Sequence, residues 1–210
     1  MLQGRKRLGG EMPWIALMLA VFIVLTAPRC AWAARPQERI RELLDAASAV
    51  LDDPRLQGPD KEVERQQRVR SIIHDTFAFE AMVREALGAY WAKLTPQQRE
   101  EFTPLFGELF EHSYNRLVLK FLPGRQTSYG EESIEQDRAV VKTTLVVPRM
   151  KEQLAVDYRL IKTAQRWAVF DVVVDGVSIA ENYRAQFEKI LRTSSYDTLV
   201  QQIRRKLEQG

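Results

Sequence analysis

Ser178 stands two residues past the Asp175-Gly176 bend in the stretch RWAVFDVVVDGVSIAENYRAQF, residues 166–187. Hydrolases of the nucleophile-elbow type hold their attacking serine between a strand and a helix, and Gly176-Val177-Ser178-Ile179-Ala180 is a blurred form of that motif. In that fold the histidine that takes the serine proton follows it in the chain, whereas the only histidines here, His74 and His112, both precede it. Catalysis at Ser178 therefore lacks its base, and a turn or helix-capping role for the hydroxyl is the expectation. Metal chemistry fares no better. The two histidines fall on different helices without a second histidine four residues away, so no zinc pair forms on one helical face. No glycine-rich phosphate loop is present; Gly9-Gly10 lies near the N-terminus and the other glycines stand alone. Neither a catalytic residue nor a cofactor or metal is assigned.

The N-terminus carries targeting information. Arg5, Lys6 and Arg7 precede an uncharged apolar run from Pro13 to Ala27, and Ala31-Trp32-Ala33 matches the small-x-small pattern of a leader cleavage site. The run is shorter than the roughly 20 apolar residues that span a bilayer core. Residues 1–33 read as a cleaved secretory signal peptide, residues 34–210 as a single domain, and the destination as the periplasm. Cys30, the only cysteine, leaves with the leader, so the mature chain has no thiol for a disulfide or metal site. The leader also takes four of the 31 basic and one of the 28 acidic residues, leaving equal numbers of each. A neutral chain gives no support to nucleic-acid binding, and Arg204-Arg205-Lys206 suits the C-terminal end of a helix.

The elements that would position any site follow from hydrophobic spacing. Ile40, Leu43, Leu44, Ala47, Val50 and Leu51 predict an amphipathic helix over residues 36–51, stopped before Asp53-Pro54, and a more polar helix follows over 60–74. Met82, Val83, Ala86, Leu87, Tyr90 and Trp91 form one stripe over 79–94. Thr95-Pro96-Gln97-Gln98 then reads as a capping box with proline at the first helical position, opening a long helix over 96–121. Its stripe of Phe102, Leu105, Phe106, Leu109, Phe110, Tyr114, Leu117, Val118 and Phe121 is wide and strongly aromatic, so it must cover a large apolar surface.

Past Pro123-Gly124 the period becomes alternating. Strands are expected over 126–134, 139–147, 153–161 and 167–174, joined by short polar turns as an antiparallel meander requires. In the third, Leu154, Val156, Tyr158 and Leu160 face one way and Asp157 and Arg159 the other. In the fourth, Ala168, Phe170, Val172 and Val174 fill one face while Trp167, Val169 and Val173 make the other apolar too, so both faces are covered. Helices over 179–191 and 196–207 close the chain. The predicted class is α+β: a twisted antiparallel sheet of about four strands wrapped by helices.

FEAMVREALGAYWAKLTPQQREEFTPLFGELFEHSY (79–114), VDYRL (156–160) and WAVFDVVVDGVSIAENYRAQF (167–187) closely resemble the MlaC, or toluene-tolerance, family of periplasmic phospholipid-binding proteins, over roughly residues 37–207. The resemblance implies a sheet and helices enclosing an apolar cavity that takes acyl chains and leaves the headgroup near its mouth. It also implies a carrier shuttling phospholipid between the outer membrane, with its lipoprotein/porin complex, and an inner-membrane ABC transporter, docking on the transporter's MCE-domain subunit. Phe170 stands where many relatives have Tyr, and Asp175 where Glu is frequent. Some relatives associate with hopanoid synthesis, which makes a hopanoid the alternative cargo; a secreted esterase using Ser178 and a structural adaptor with a full core are the remaining readings. Physical chemistry agrees with a carrier: about thirty methylenes at roughly 0.8 kcal/mol each would oppose a bare two-tailed lipid in water by on the order of 24 kcal/mol. Tyr90, Phe106, Phe110, Tyr114, Tyr158, Phe170, Val172 and Phe187 are the expected lipid-binding residues. Arg184 is expected to pair with Asp171 or Asp175 in preference to a lipid phosphate.

Overall fold

The computed structural model describes residues 35–121, 124–147, 152–164 and 166–209. The predicted leader with Cys30, Pro123 and the Pro148-Arg149-Met150 turn lie outside the described residues, as do the side chains of Leu117, Val118 and Phe121.

Helix α1 (Pro36–Leu51) buries Ile40, Leu43, Leu44, Ala47 and Leu51, the spacing that turns one stripe toward the core. Two short 3₁₀ turns, Pro54–Leu56 and Pro59–Lys61, lead to α2 (Glu62–Thr76), whose buried residues are only Val69 and Thr76. The stripe expected as one helix over 79–94 divides. Helix α3 (Phe79–Leu87) stops at Gly88, whose φ of 52° leaves the right-handed region, and the chain continues as a 3₁₀ segment (Gly88–Lys93). Helix α4 (Pro96–Phe121) opens as its capping box predicts: Gln98 N–H donates to Thr95 Oγ1 (3.1 Å) and Thr95 N–H to Gln98 Oε1 (2.9 Å).

Five antiparallel strands follow in meander order: β1 (Gln126–Glu135), β2 (Arg138–Val147), β3 (Glu152–Lys162), β4 (Trp167–Val174) and the two-residue β5 (Val177–Ser178). The fifth arises because Asp175 (φ 47°) and Gly176 (φ 81°) make a tight two-residue hairpin turn that folds the chain back against Val173 and Val174. At the other end of β4, Ala78 N–H donates to Val169 O (2.8 Å), so this edge is covered along much of its length. Helices α5 (Ile179–Leu191) and α6 (Tyr196–Glu208) are capped by Ser178 and Ser195.

The inner face of the sheet carries Val141, Leu145, Val156, Tyr158, Leu160, Val169 and Val172 into one core with the helical stripes. β4 is buried on both faces, as its composition demands. Its alternation is broken, however. Val172 stands opposite Tyr158 and Asp171 opposite Arg159, but the next pair is Leu160 with Val169, so Phe170 has no partner on β3. This bulge returns Val169 to the face of Leu160, and Phe170 lies under the Arg138 guanidinium, 4.8 Å from its ring centre. The face shared by Ala168, Phe170, Val172 and Val174 in simple alternation is not formed.

Candidate functional site

Between α1, α2, α4 and the inner face of the sheet lies a cavity of about 980 Å³. Its walls differ in chemistry. α1 supplies Leu43, Leu44 and Ala47, and the sheet Leu145, Leu154, Val156, Tyr158, Val172 and Val174. α2 and α4 add apolar side chains too, but among the described residues the charged lining side chains come from these two helices: Arg70 from α2, Glu108 and Glu111 from α4. The exposed lining residues Val63, Gln67, Arg70 and Glu108 mark its open side at the α2–α4 seam. The cavity is amphipathic: apolar against α1 and the sheet, polar at its opening.

Four of the eight expected residues line it. Tyr158, 5% exposed, and Val172 face each other across β3 and β4, while Phe110 and Tyr114 are one helical turn apart on α4. Burial pushes the Tyr158 phenol up from its ordinary value against the opposing pull of the Arg125 guanidinium, so it stays neutral at neutral pH. Burial also raises the Tyr114 phenol, with a hydrogen bond to Asn182 acting the other way. The guanidinium of Arg125 contacts Ser48 Oγ, joining the start of β1 to α1 beside this wall.

The other four do not line the cavity. Phe106, fully buried, packs edge-on against Tyr183 at 5.0 Å and Phe187 at 6.1 Å, and Phe187 meets Phe102 at 5.8 Å. These rings form a supporting layer between α4, α5 and α6. Tyr90 lies in the 3₁₀ segment with Lys93 Nζ 4.6 Å above its ring, and Phe170 is displaced by the bulge. The α2 contribution escaped the sequence reading altogether. Val63, Gln66, Gln67, Arg70, Ile73 and Phe77 recur at three-to-four spacing, but their mixed polarity hides the stripe from a search for apolar periodicity.

At the seam, Glu111 is buried and both its oxygens face α2: Oε2 lies 2.6 Å from Arg70 Nε and Oε1 2.6 Å from His74 Nε2. Removed from this seam, Asp171 (1% exposed) ties the opening stretch together. Its Oδ2 accepts from Ser178 Oγ (2.7 Å) and Arg159 Nη1 (3.0 Å), and its Oδ1 from Ala180 N–H (3.0 Å). Ser178 Oγ in turn accepts the Glu181 N–H (3.0 Å), so the hydroxyl caps α5 and bonds a carboxylate instead of a histidine. Arg184 does not pair with Asp171 or Asp175. Its Nε donates to Glu85 O (2.7 Å) and Nη2 to Glu85 Oε2 (3.0 Å), because α5 packs along α3 and Arg159 already occupies Asp171. Among the described residues, no group of three or more His, Cys, Asp and Glu could hold a metal ion, and no helix is long and apolar enough to cross a membrane.

The chain is similar to the intermembrane phospholipid transport system binding protein MlaC of Haemophilus influenzae, with 24% identity over 131 residues, 60% of this chain and 60% of the relative. It thus spans about three fifths of that relative's length. In fold it is similar to the phospholipid-binding protein of Ralstonia solanacearum solved in complex with a phospholipid: TM-score 0.72, 24% identity, covering 82% of this chain and 97% of the other. The sequence profile of the family described as MlaC protein matches residues 41–205, from α1 to the last turns of α6. That span takes in every described lining residue of the cavity but Leu207, together with the Asp171 knot, and the chain belongs to the MlaC protein family.

Proposed function

We propose that this chain is a periplasmic phospholipid carrier that holds acyl chains in the cavity while the headgroup stays at the α2–α4 opening. The amphipathic cavity carries this reading. Its apolar end suits hydrocarbon, and its charges among the described residues lie on the two helices that flank the opening, where a lipid headgroup would sit. A methylene takes up about the 30 Å³ that a water occupies in the liquid, so 980 Å³ accommodates about 33 methylenes, the content of two ordinary acyl chains. The names of the Haemophilus and Ralstonia relatives support the same ligand class. In this reading the chain ferries lipid between the outer membrane's lipoprotein/porin complex and the MCE-domain subunit of an inner-membrane ABC transporter, and carries out no reaction on it. Ser178 serves the fold.

The test is extraction of the purified mature chain with organic solvent, followed by mass spectrometry, before and after incubation with phospholipid vesicles. Near-stoichiometric glycerophospholipid is the expected result. Recovery of a polycyclic lipid would change the cargo, and folded protein that yields no lipid under either condition would refute the carrier.

A further inference from the structure

The charged groups at the opening are not equivalent. Arg70 Nε pairs at 2.6 Å with Oε2 of the buried Glu111 carboxylate, and His74 Nε2 lies 2.6 Å from Oε1, which accepts no hydrogen bond among the described residues. The ion pair keeps the guanidinium at the seam while its two terminal amino groups have no partner among the described residues, and the side chain remains 60% exposed. Those two amino groups present a fork suited to phosphate oxygens. Glu108, one turn before Glu111 and His112 on α4, lines the same cavity, is exposed, and also has no partner among the described residues. The charged side chains of the described lining are thus one guanidinium and two carboxylates, one carboxylate already committed to the guanidinium.

We propose that Arg70 and Glu108 read the lipid headgroup, Arg70 taking the phosphate and Glu108 an ammonium, so that the chain prefers zwitterionic amine-bearing phospholipids to anionic ones. The proposal rests on the carrier reading and adds a selectivity to it. A headgroup ending in ammonium satisfies both charges at once. One ending in neutral glycerol satisfies Arg70 only, and leaves its phosphate charge beside a carboxylate with no cation of its own. His112, half-buried and also without a partner among the described residues, adds a polar ring one turn from Glu108.

The experiment incubates the mature chain with vesicles of equimolar dioleoyl phosphatidylethanolamine and dioleoyl phosphatidylglycerol, re-isolates it, and measures the ratio of the two lipids in each extract. Identical tails cancel the cavity's contribution, and a ratio is independent of the total amount bound. The wild-type chain should enrich the ethanolamine lipid about two- to fivefold over the vesicle composition, the size of one partly exposed ion pair. Glu108→Gln should return the ratio toward that of the vesicles, and Glu108→Lys should reverse it. Wild-type extracts at the vesicle ratio, or a wild-type preference that survives Glu108→Gln, would overturn the headgroup proposal and leave the carrier standing. Extracts with neither lipid would instead strike the carrier reading. Glu108 is exposed, so Glu108→Gln removes no buried contact, and a circular-dichroism spectrum matching the wild type shows that its ratio is read from folded protein.

Discussion

A lipid that leaves a bilayer for the cavity exchanges one apolar surrounding for another, so lengthening its tails should change the distribution little while the extra methylenes still fit. Once the cavity is full, each further methylene must stay in water at a cost of about 0.8 kcal/mol, which is about fourfold in the partition constant. The cavity volume of about 980 Å³ sets the break at about 33 methylenes, or two chains of about sixteen carbons. The assay offers residues 34–210 of the chain vesicles containing saturated diacyl phosphatidylethanolamines of ten to twenty-two carbons at equal mole fraction in a fluid host, and quantifies each species in the extracted protein. Retention should be flat up to about sixteen carbons per chain and then fall steeply, with a four-chain lipid excluded. A flat profile through twenty-two carbons would refute the reasoning, because the tails would then not be limited by this volume; a fall beginning at twelve would refute it from the other side.

Other perturbations test the parts separately. Phe110→Arg places an ion in the apolar lining and should lower the lipid recovered at least tenfold, whereas Phe106→Ala, behind the wall, should cost about 3–5 kcal/mol of stability in urea unfolding. Asp171→Ala leaves the Ala180 N–H, Ser178 and Arg159 without their acceptor and should cost about 3–5 kcal/mol by the same assay, against about 1–2 kcal/mol for Ser178→Ala, which removes the cap and one of the three donors to Asp171. At high pH, the Tyr196 phenol, pushed up to about 12 chiefly by burial, should contribute stability that is intact below pH 10 and lost as pH rises toward 12. Tyr196→Phe should therefore flatten the decline in melting temperature across that window; an unchanged slope would show that Tyr196 is not linked to unfolding.

The caps, the strand meander, the double-sided burial of β4 and the stripes of α1 and α4 were legible in the chain, because each depends on side chains within a few residues of one another. The Thr95-Gln98 box forms as written. The same local logic recognised Ser178 as a cap and placed Phe110, Tyr114, Tyr158 and Val172 on faces turned inward. It had no access to events that arise between elements. Simple alternation put Phe170 beside Val172, but β3 pairs with Val169 after a bulge that shifts the register, and no residue within β4 announces it. Phe106 and Phe187 belong to the same apolar stripes as true lining residues; only the approach of α5 decides that they meet each other. Arg184 had two acidic candidates nearby in sequence, yet finds Glu85 from a helix nearly a hundred residues away.

By itself, then, the sequence determined which faces are apolar and where elements begin, since spacing along a helix or strand settles such matters before anything packs. Only the tertiary structure decided which apolar faces close on each other and which leave room between them. A void is a property of distances between separate elements, and the mixed stripe of α2 becomes a cavity wall only where it faces α4, with Glu111 set against Arg70 and His74 across the seam.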